Sequence, residues 1–240
     1  MAMYKCKICG GDLKLLDKEN ICECEYCGSH QTVPQINDER LANLYERASG
    51  LRRKNEFDKA ESIYEKLIEE IPNDPDLYWS MVLCRYGVEY VEERGSRKPT
   101  IHRMQQRAVS ADPDYENAIR YADAHQAKIY QDSAAEIEQI QRGYQDIMRK
   151  EAPFDIFICY QETDERGMRT RDSVKAFDLY ERLTKEGFKV FFARVTLENH
   201  LGEEYEPYIF AALQSSRVMV VLGTSKEHFE ALWVRNEWNR

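Results

Sequence analysis

The sequence predicts a multidomain chain with a small β segment at residues 1–36, an all-α region at 38–150 and an α/β parallel-sheet domain at 153–240. Three observations carry this. Five of the seven cysteines, Cys6, Cys9, Cys22, Cys24 and Cys27, fall within the first 27 residues. Residues 38–150 repeat apolar positions at helical spacing. Residues 153–240 alternate short apolar runs with amphipathic stretches, the β-α-β-α-β-α order of a parallel sheet with helices on both faces.

Composition narrows the function classes. Fifteen Tyr, nine Phe and three Trp give the aromatic content that disordered chains lack. The net charge is −9. This weighs against general nucleic-acid binding, which needs a basic surface to displace counterions, and against docking on anionic lipid. No apolar run approaches the ~18 residues of a membrane span. The start, MAMYKCKICG, has no apolar core of a secretory signal, so a cytoplasmic location with reduced thiols is expected.

In the first segment Cys6-x-x-Cys9 and Cys24-x-x-Cys27 are each followed by glycine, Gly10 and Gly28. Zn²⁺ takes four thiolates tetrahedrally, and a tight turn must present two sulfurs to one ion. Glycine after the second Cys permits the positive φ that closes such a turn. Two such knuckles on hairpins make a zinc ribbon with a structural Zn²⁺ on Cys6, Cys9, Cys24 and Cys27. A segment this short cannot build a sufficient core without a metal or disulfides. Cys22 could replace Cys24, and His30 is a further alternative ligand; the symmetry of the two units favours the four cysteines. A redox Cys-x-x-Cys needs a thioredoxin-like strand before it and a helix after it, and neither is here. Residues 1–36 hold four Lys and no Arg against five acids, so a structural or protein-docking ribbon is expected rather than a nucleic-acid reader.

In the middle region Leu41, Leu44, Tyr45, Ala48 and Leu51 mark one helical face. A turn at Asn55 follows, and a second face runs Ala60, Ile63, Tyr64, Leu67, Ile68, Ile71 until Pro72. Asp74-Pro75 restarts a helix, with Asp as N-cap and Pro at the first helical position. Ala48, Ala60, Tyr64 and Pro72 resemble the small, small, aromatic and proline positions of a tetratricopeptide repeat (TPR). Only one repeat is legible, and a helical hairpin of no particular family accounts for the same residues. Residues 91–100 read as a loop, with helix again from Ile101. A last helix from Ser133 carries Ile137, Ile140, Tyr144 and Ile147, a stripe for packing on neighbouring helices or for a dimer seam. The region is a candidate docking site for a protein partner.

In the last domain Phe154 to Tyr160 reads as a strand buried on both faces. A helix runs from about Thr170 to Lys185 and ends at Gly187. Lys189–Ala193 and Arg217–Leu222 are further strands, Gly202–Ser215 is a helix, and a helix around Trp233 follows. Neither G-x-G-x-x-G nor G-x-x-x-x-G-K-[ST] is present, which disfavours a dinucleotide-binding Rossmann domain and a P-loop.

FDIFICYQ at 154–161 resembles the opening strand of a Toll/interleukin-1 receptor (TIR) domain. Leu183-x-x-x-Gly187-Phe-x-Val-Phe-Phe resembles that family's first helix end and second strand, and residues 206–222 resemble a later helix and strand. Trp233-x-x-x-Glu237 is similar to its Trp-x-x-x-Glu helix. Together with the ribbon and helical middle, the arrangement resembles bacterial TIR proteins. The resemblance implies a flavodoxin-like parallel sheet. It also implies a domain cut short, since the family continues with another strand and helix whereas this sequence stops at Arg240.

TIR domains either assemble as scaffolds or cleave the nicotinamide–ribose bond of NAD⁺. The second reaction passes through an oxocarbenium-like ribose cation and needs a carboxylate beside the ribose in a pocket that limits water. The resemblance implies Glu206 as that carboxylate, with Glu203 and Glu204 one turn earlier; a helix-N-terminal acid favoured by the dipole is the plainer account of all three. It implies Tyr160 and Gln161 against the nicotinamide or ribose and Arg194 against the pyrophosphate. The chain is thus expected to be an NAD⁺ glycohydrolase or cyclase that consumes NAD⁺ as substrate and works by self-association of the TIR domain. A non-catalytic interaction module is the alternative. Cys159, inside a strand, reads as a small core residue.

Overall fold

The computed structural model describes residues 4–16, 21–93, 96–150, 152–197, 205–230 and 234. The chain is mixed α/β and divides into two compact units, 1–141 and 142–240.

Unit 1 opens with three short strands, β1 (Leu13–Leu15), β2 (Ile21–Cys24) and β3 (His30–Thr32), in an antiparallel sheet of order β1-β2-β3. Leu13 lies opposite Cys24, and Cys22 opposite Gln31. Three helices follow, α1 (Glu39–Arg52), α2 (Phe57–Glu70) and α3 (Pro75–Arg85). Local chemistry starts two of them. Asp38 Oδ1 accepts the Leu41 N–H at 3.0 Å, and Asp74 Oδ1 accepts those of Asp76 and Leu77 at 2.9 and 3.3 Å. Between α1 and α2 the chain turns through Asn55 at φ +61°, a conformation Asn tolerates better than most residues. The stripes seen in the sequence merge into one core in which Tyr45, Ala48, Ala60, Tyr64 and Leu77 are buried.

Residues 91–93 and 96–100 are not a loop. They belong to two antiparallel strands, β4 (Val88–Glu93) and β5 (Ser96–Ile101). Their charges and Pro99 disguise them, but a two-stranded ribbon has only edge strands, where proline is tolerated. The opposed pair Val88 and Ile101 is buried and fixes the ribbon to the unit. Nor does a helix begin at Ile101. An irregular stretch leads to a 3₁₀ turn at Val109–Ala111 and then α4 (Pro113–Tyr121), where Asp112 Oδ1 accepts the Asp114 N–H at 2.9 Å, a second Asp-Pro start. The long helix α5 (Ala124–Lys150) begins well before Ser133. A capping box starts it: Asp123 Oδ1 accepts the Gln126 N–H at 2.8 Å, and Gln126 Oε1 accepts the Asp123 N–H at 3.2 Å. In the α5 stripe Ile137 and Tyr144 are buried, and Ile140 and Ile147 partly so.

Unit 2 is built on a parallel three-stranded sheet, β6 (Ile156–Tyr160), β7 (Val190–Phe191) and β8 (Val218–Leu222), in the order β7-β6-β8. Helix α6 (Arg171–Lys185) joins β6 to β7; a short α7 (Ala193–Thr196) and α8 (Tyr205–Ser215) lie between β7 and β8; α9 (Lys226–Glu230) follows. Period-2 alternation sorts the two faces. Ile158 and Tyr160 of β6, with Val190 and Phe192, pack on Ala176, Phe177 and Tyr180 of α6. Phe157 and Phe191 point the other way, stacked at 4.6 Å, and Phe191 meets Tyr208 of α8 at 6.2 Å. Both faces are therefore covered. The second strand is shorter than expected because the chain turns helical at Ala193. Thr170 caps α6 by accepting the Ser173 N–H at 3.1 Å, and Gly187 at φ +92° leads the chain out of it. Residues 202–204, Trp233 and Glu237 lie outside the described residues.

Candidate functional site

The two Cys-x-x-Cys turns meet. The Sγ atoms of Cys6, Cys9, Cys24 and Cys27 all lie within 4.8 Å of one another. Cys6 and Cys27 are 3.8 Å apart and Cys9 and Cys24 3.4 Å apart. Zn–S bonds of about 2.3 Å at tetrahedral angles place sulfurs about 3.8 Å apart, so the donor set fits zinc. Gly10 (φ +77°) and Gly28 (φ +68°) close the two turns in left-handed backbone. The backbone N–H groups of Ile8 and Cys9 donate to Cys6 Sγ at 3.4 Å each, that of Gly11 to Cys9 Sγ at 3.3 Å, and that of Tyr26 to Cys24 Sγ at 3.4 Å. Such donors favour thiolate. At Cys6 burial pushes the thiol up, but the hydrogen bonds of Cys9, Ser29 and Ile8 outweigh it and bring it to about 6. Burial pushes Cys9 up to about 12, with neighbouring thiols adding to the rise. Four thiolates on one ion leave no open coordination position, so a metal held here is structural, closing the two turns on each other.

Cys22 and His30 stand apart from this group. Cys22 is buried in β2, where burial raises its thiol, and His30 is exposed in β3. Gly11, which the spacing argument passes over, sits where the knuckles cross. A Cβ there would meet Tyr26 Cβ at 2.9 Å and the sulfurs of Cys9 and Cys24 at 3.3 Å. Gly11→Ala is expected to weaken zinc affinity about 10- to 100-fold, the range for disturbed outer-shell contacts. Competition against a chromophoric chelator reads this directly, and an unchanged affinity would refute it.

The first knuckle is fastened to the helices by cations that the sequence does not mark out. Arg52 Nη2 donates to the Lys7 carbonyl, and Arg52 Nη1 to that of Val88 at 3.0 Å. The Lys7 ammonium is buried on Asp76 of α3 and donates to the Thr32 carbonyl at 2.8 Å. Thr32 Oγ1 also donates to Asp76, and the Tyr45 hydroxyl reaches Asp76 Oδ2 at 2.7 Å.

In unit 2 the carboxyl ends of the parallel strands share one edge, where ligands of such sheets bind. Tyr160 ends β6, but its ring lies in the core, stacked on Phe192 at 5.1 Å. Burial first, and then Glu162, push its phenol up. Gln161 follows it, with Nε2 donating to the Thr163 carbonyl at 3.1 Å. Arg194 is exposed on α7. Helix α8 ends at Ser215, just before β8. Its 11 residues span about 16 Å at 1.5 Å each, the length of a five-residue strand. The first turn of α8, with Glu206, therefore lies back at the carboxyl edge; the Glu206 side chain is outside the described residues. Cys159 is buried within β6.

The same edge carries a pair that no local signal announces. Asp172, in the first turn of α6, is fully buried and accepts the Thr224 N–H at 2.8 Å and a hydrogen bond from His228 Nδ1 at 2.5 Å. Fold and sites together define a mixed α/β chain with a four-cysteine centre able to hold a metal and a parallel sheet whose carboxyl edge is rich in polar groups. No protein-family model, curated protein or solved structure matches it. Among the described residues no helix is long and apolar enough to cross a membrane.

Proposed function

We propose that unit 2 is a TIR-like domain that cleaves the nicotinamide–ribose bond of NAD⁺, with unit 1 as a zinc-stapled platform that docks a partner and promotes self-association. The observation that carries the reading is the sheet order β7-β6-β8 with helices on both faces. This central-first-strand order opens a flavodoxin-like sheet, and it brings the loop after β6, α7 and the start of α8 to one edge. In this reading the C1′–N bond breaks with its electron pair leaving on neutral nicotinamide. The Glu206 carboxylate stabilises the ribose cation, Arg194 pairs with the pyrophosphate, Gln161 contacts the ribose, and Tyr160 forms the floor beneath them. Zinc on the four cysteines takes no part in the chemistry.

The test is nicotinamide release by the purified chain at high concentration, followed by chromatography. Glu206→Ala is expected to lower it at least 100-fold. If Glu206→Ala remains active while Glu237→Ala is dead, the carboxylate role passes to the Trp-x-x-x-Glu segment. One observation favours the non-catalytic alternative: the Tyr160 ring and the Gln161 amide are both engaged within the unit. Silence of the chain even when artificially clustered would establish that alternative.

A further inference from the structure

The geometry points to Asp172 and His228 as an oriented carboxylate–imidazole dyad whose Nε2 takes the proton of the water that attacks the ribose. This rests on the proposed NAD⁺ cleavage and assigns a second group to the same site.

The first support is position. Asp172 follows β6, and Thr224 and His228 follow β8. β6 and β8 are neighbours, yet α6 leads away from this junction to β7 on the far side of β6. The chain therefore diverges between the carboxyl ends of β6 and β8. Such a switch point opens the crevice where ligands of doubly wound sheets sit.

The second support is orientation. Asp172 has no exposure, and the Thr224 amide on Oδ1 holds its carboxylate. Oδ2 is left to accept from His228 Nδ1 at 2.5 Å. A carboxylate can only accept there, so Nδ1 carries a proton and the lone pair of a neutral ring lies on Nε2. Nε2 is the open side: the His228 side chain is 24% exposed, and among the described residues no hydrogen bond engages that atom. A base held by a buried orienting group, with its reactive atom left open at the carboxyl edge of the sheet, is the arrangement that general-base catalysis requires. A brace alone would need only the Nδ1 contact and gains nothing from an open Nε2.

The step balances. As nicotinamide departs with the C1′–N electron pair, a water oxygen donates a pair to C1′. The proton it sheds passes to His228 Nε2 and then to solvent, giving ADP-ribose, nicotinamide and H⁺. Exchange of nicotinamide for another pyridine base uses the same ribose cation but removes no proton from water. The dyad therefore acts on hydrolysis and not on exchange.

The experiment uses the full chain with NAD⁺ and 3-acetylpyridine, scoring ADP-ribose and the exchanged dinucleotide separately. His228→Gln, which can still donate to Asp172, and His228→Ala are expected to lower hydrolysis about 100-fold, the low end for a lost general base, and to leave exchange within about two-fold. Added imidazole is expected to restore part of the hydrolysis by His228→Ala. An equal fall in both reactions would make the pair a brace, and no fall in either would make it a bystander; each overturns the proposal while NAD⁺ cleavage stands. If the wild-type chain does neither reaction, the cleavage reading fails. Nitrogen NMR of the His228 ring gives a readout independent of turnover: the dyad requires Nε2 to shift on adding NAD⁺ or ADP-ribose, and an unmoved resonance overturns it.

Discussion

Stripping zinc from the four cysteines is expected to melt residues 4–32 and to take the helices of unit 1 with them. The three strands of the ribbon have only three, four and three residues, too few for an independent core. Structural zinc contributes about 10–16 kcal/mol in small zinc-folded peptides, as much as the whole ~5–15 kcal/mol stability of a typical domain. The loss cannot stay within the ribbon, because the first knuckle inserts Lys7 onto Asp76 and gives its backbone carbonyls to Arg52 and Arg53 of the α1 end. When that knuckle opens, Asp76 is a buried carboxylate without its cation, at the start of α3. Helical circular dichroism on heating, with and without a zinc chelator, should show one transition moved down by 10 °C or more. Cys24→Ser should do the same in the presence of zinc. Thiols that become reactive on chelation while the helical transition stays in place would show that the ribbon melts alone.

The parts of the chain that sequence made legible are those in which a short segment carries its own instruction. Two Cys-x-x-Cys-Gly turns specify sulfur geometry locally, and the turns present all four sulfurs together. Apolar runs such as Phe154–Tyr160 read as strands, and β6 lies at the centre of a parallel sheet. The capping signal at Asp74 acts within three residues of itself. Three equivalent signals, Asp38, Asp112-Pro113 and the Asp123…Gln126 box, were equally readable and fix α1, α4 and α5. The β4–β5 pair is less legible, because adjacent charges at Glu92-Glu93 and Arg97-Lys98, with Pro99, resemble a loop, whereas only burial of Val88 with Ile101 marks the strands.

Candidate site residues divide along the same line. The cysteines are found by spacing. Asp172 and His228 are not, because they lie 56 positions apart and meet only through the pairing of β6 with β8. Tyr160 is a borderline case: the end of a strand is the right place for a ligand contact, but period-2 alternation turns its ring toward α6 and the core. Lys7 is the most misleading residue of all. A lysine between Cys6 and Cys9 would ordinarily be a solvated charge, since lysine is almost never fully buried without a partner. Its partner lies 69 residues away on another element.

That pair gives the second large effect. Lys7 and Asp76 side chains are 8% and 0% exposed, so the interaction is little screened by solvent. Removing one member of a buried ion pair costs about 3–5 kcal/mol, mostly from the charge left behind. Lys7→Met leaves the Asp76 carboxylate to the hydroxyls of Thr32 and Tyr45, which solvate it but do not neutralise it. Asp76→Asn leaves a buried ammonium while keeping an acceptor for those hydroxyls. Each single variant should therefore destabilise unit 1 by about 3–5 kcal/mol in denaturant titrations with saturating zinc. The double variant strands neither charge and should cost at least ~2 kcal/mol less than the two singles added together, the signature of direct coupling. Strict additivity would mean that each charge is satisfied independently and that the knuckle is held by Arg52 and the metal alone. Zinc affinity measured on the same proteins separates the two routes: a loss confined to stability places the pair in the core, whereas a parallel loss of affinity shows that the core positions the first knuckle for the ion.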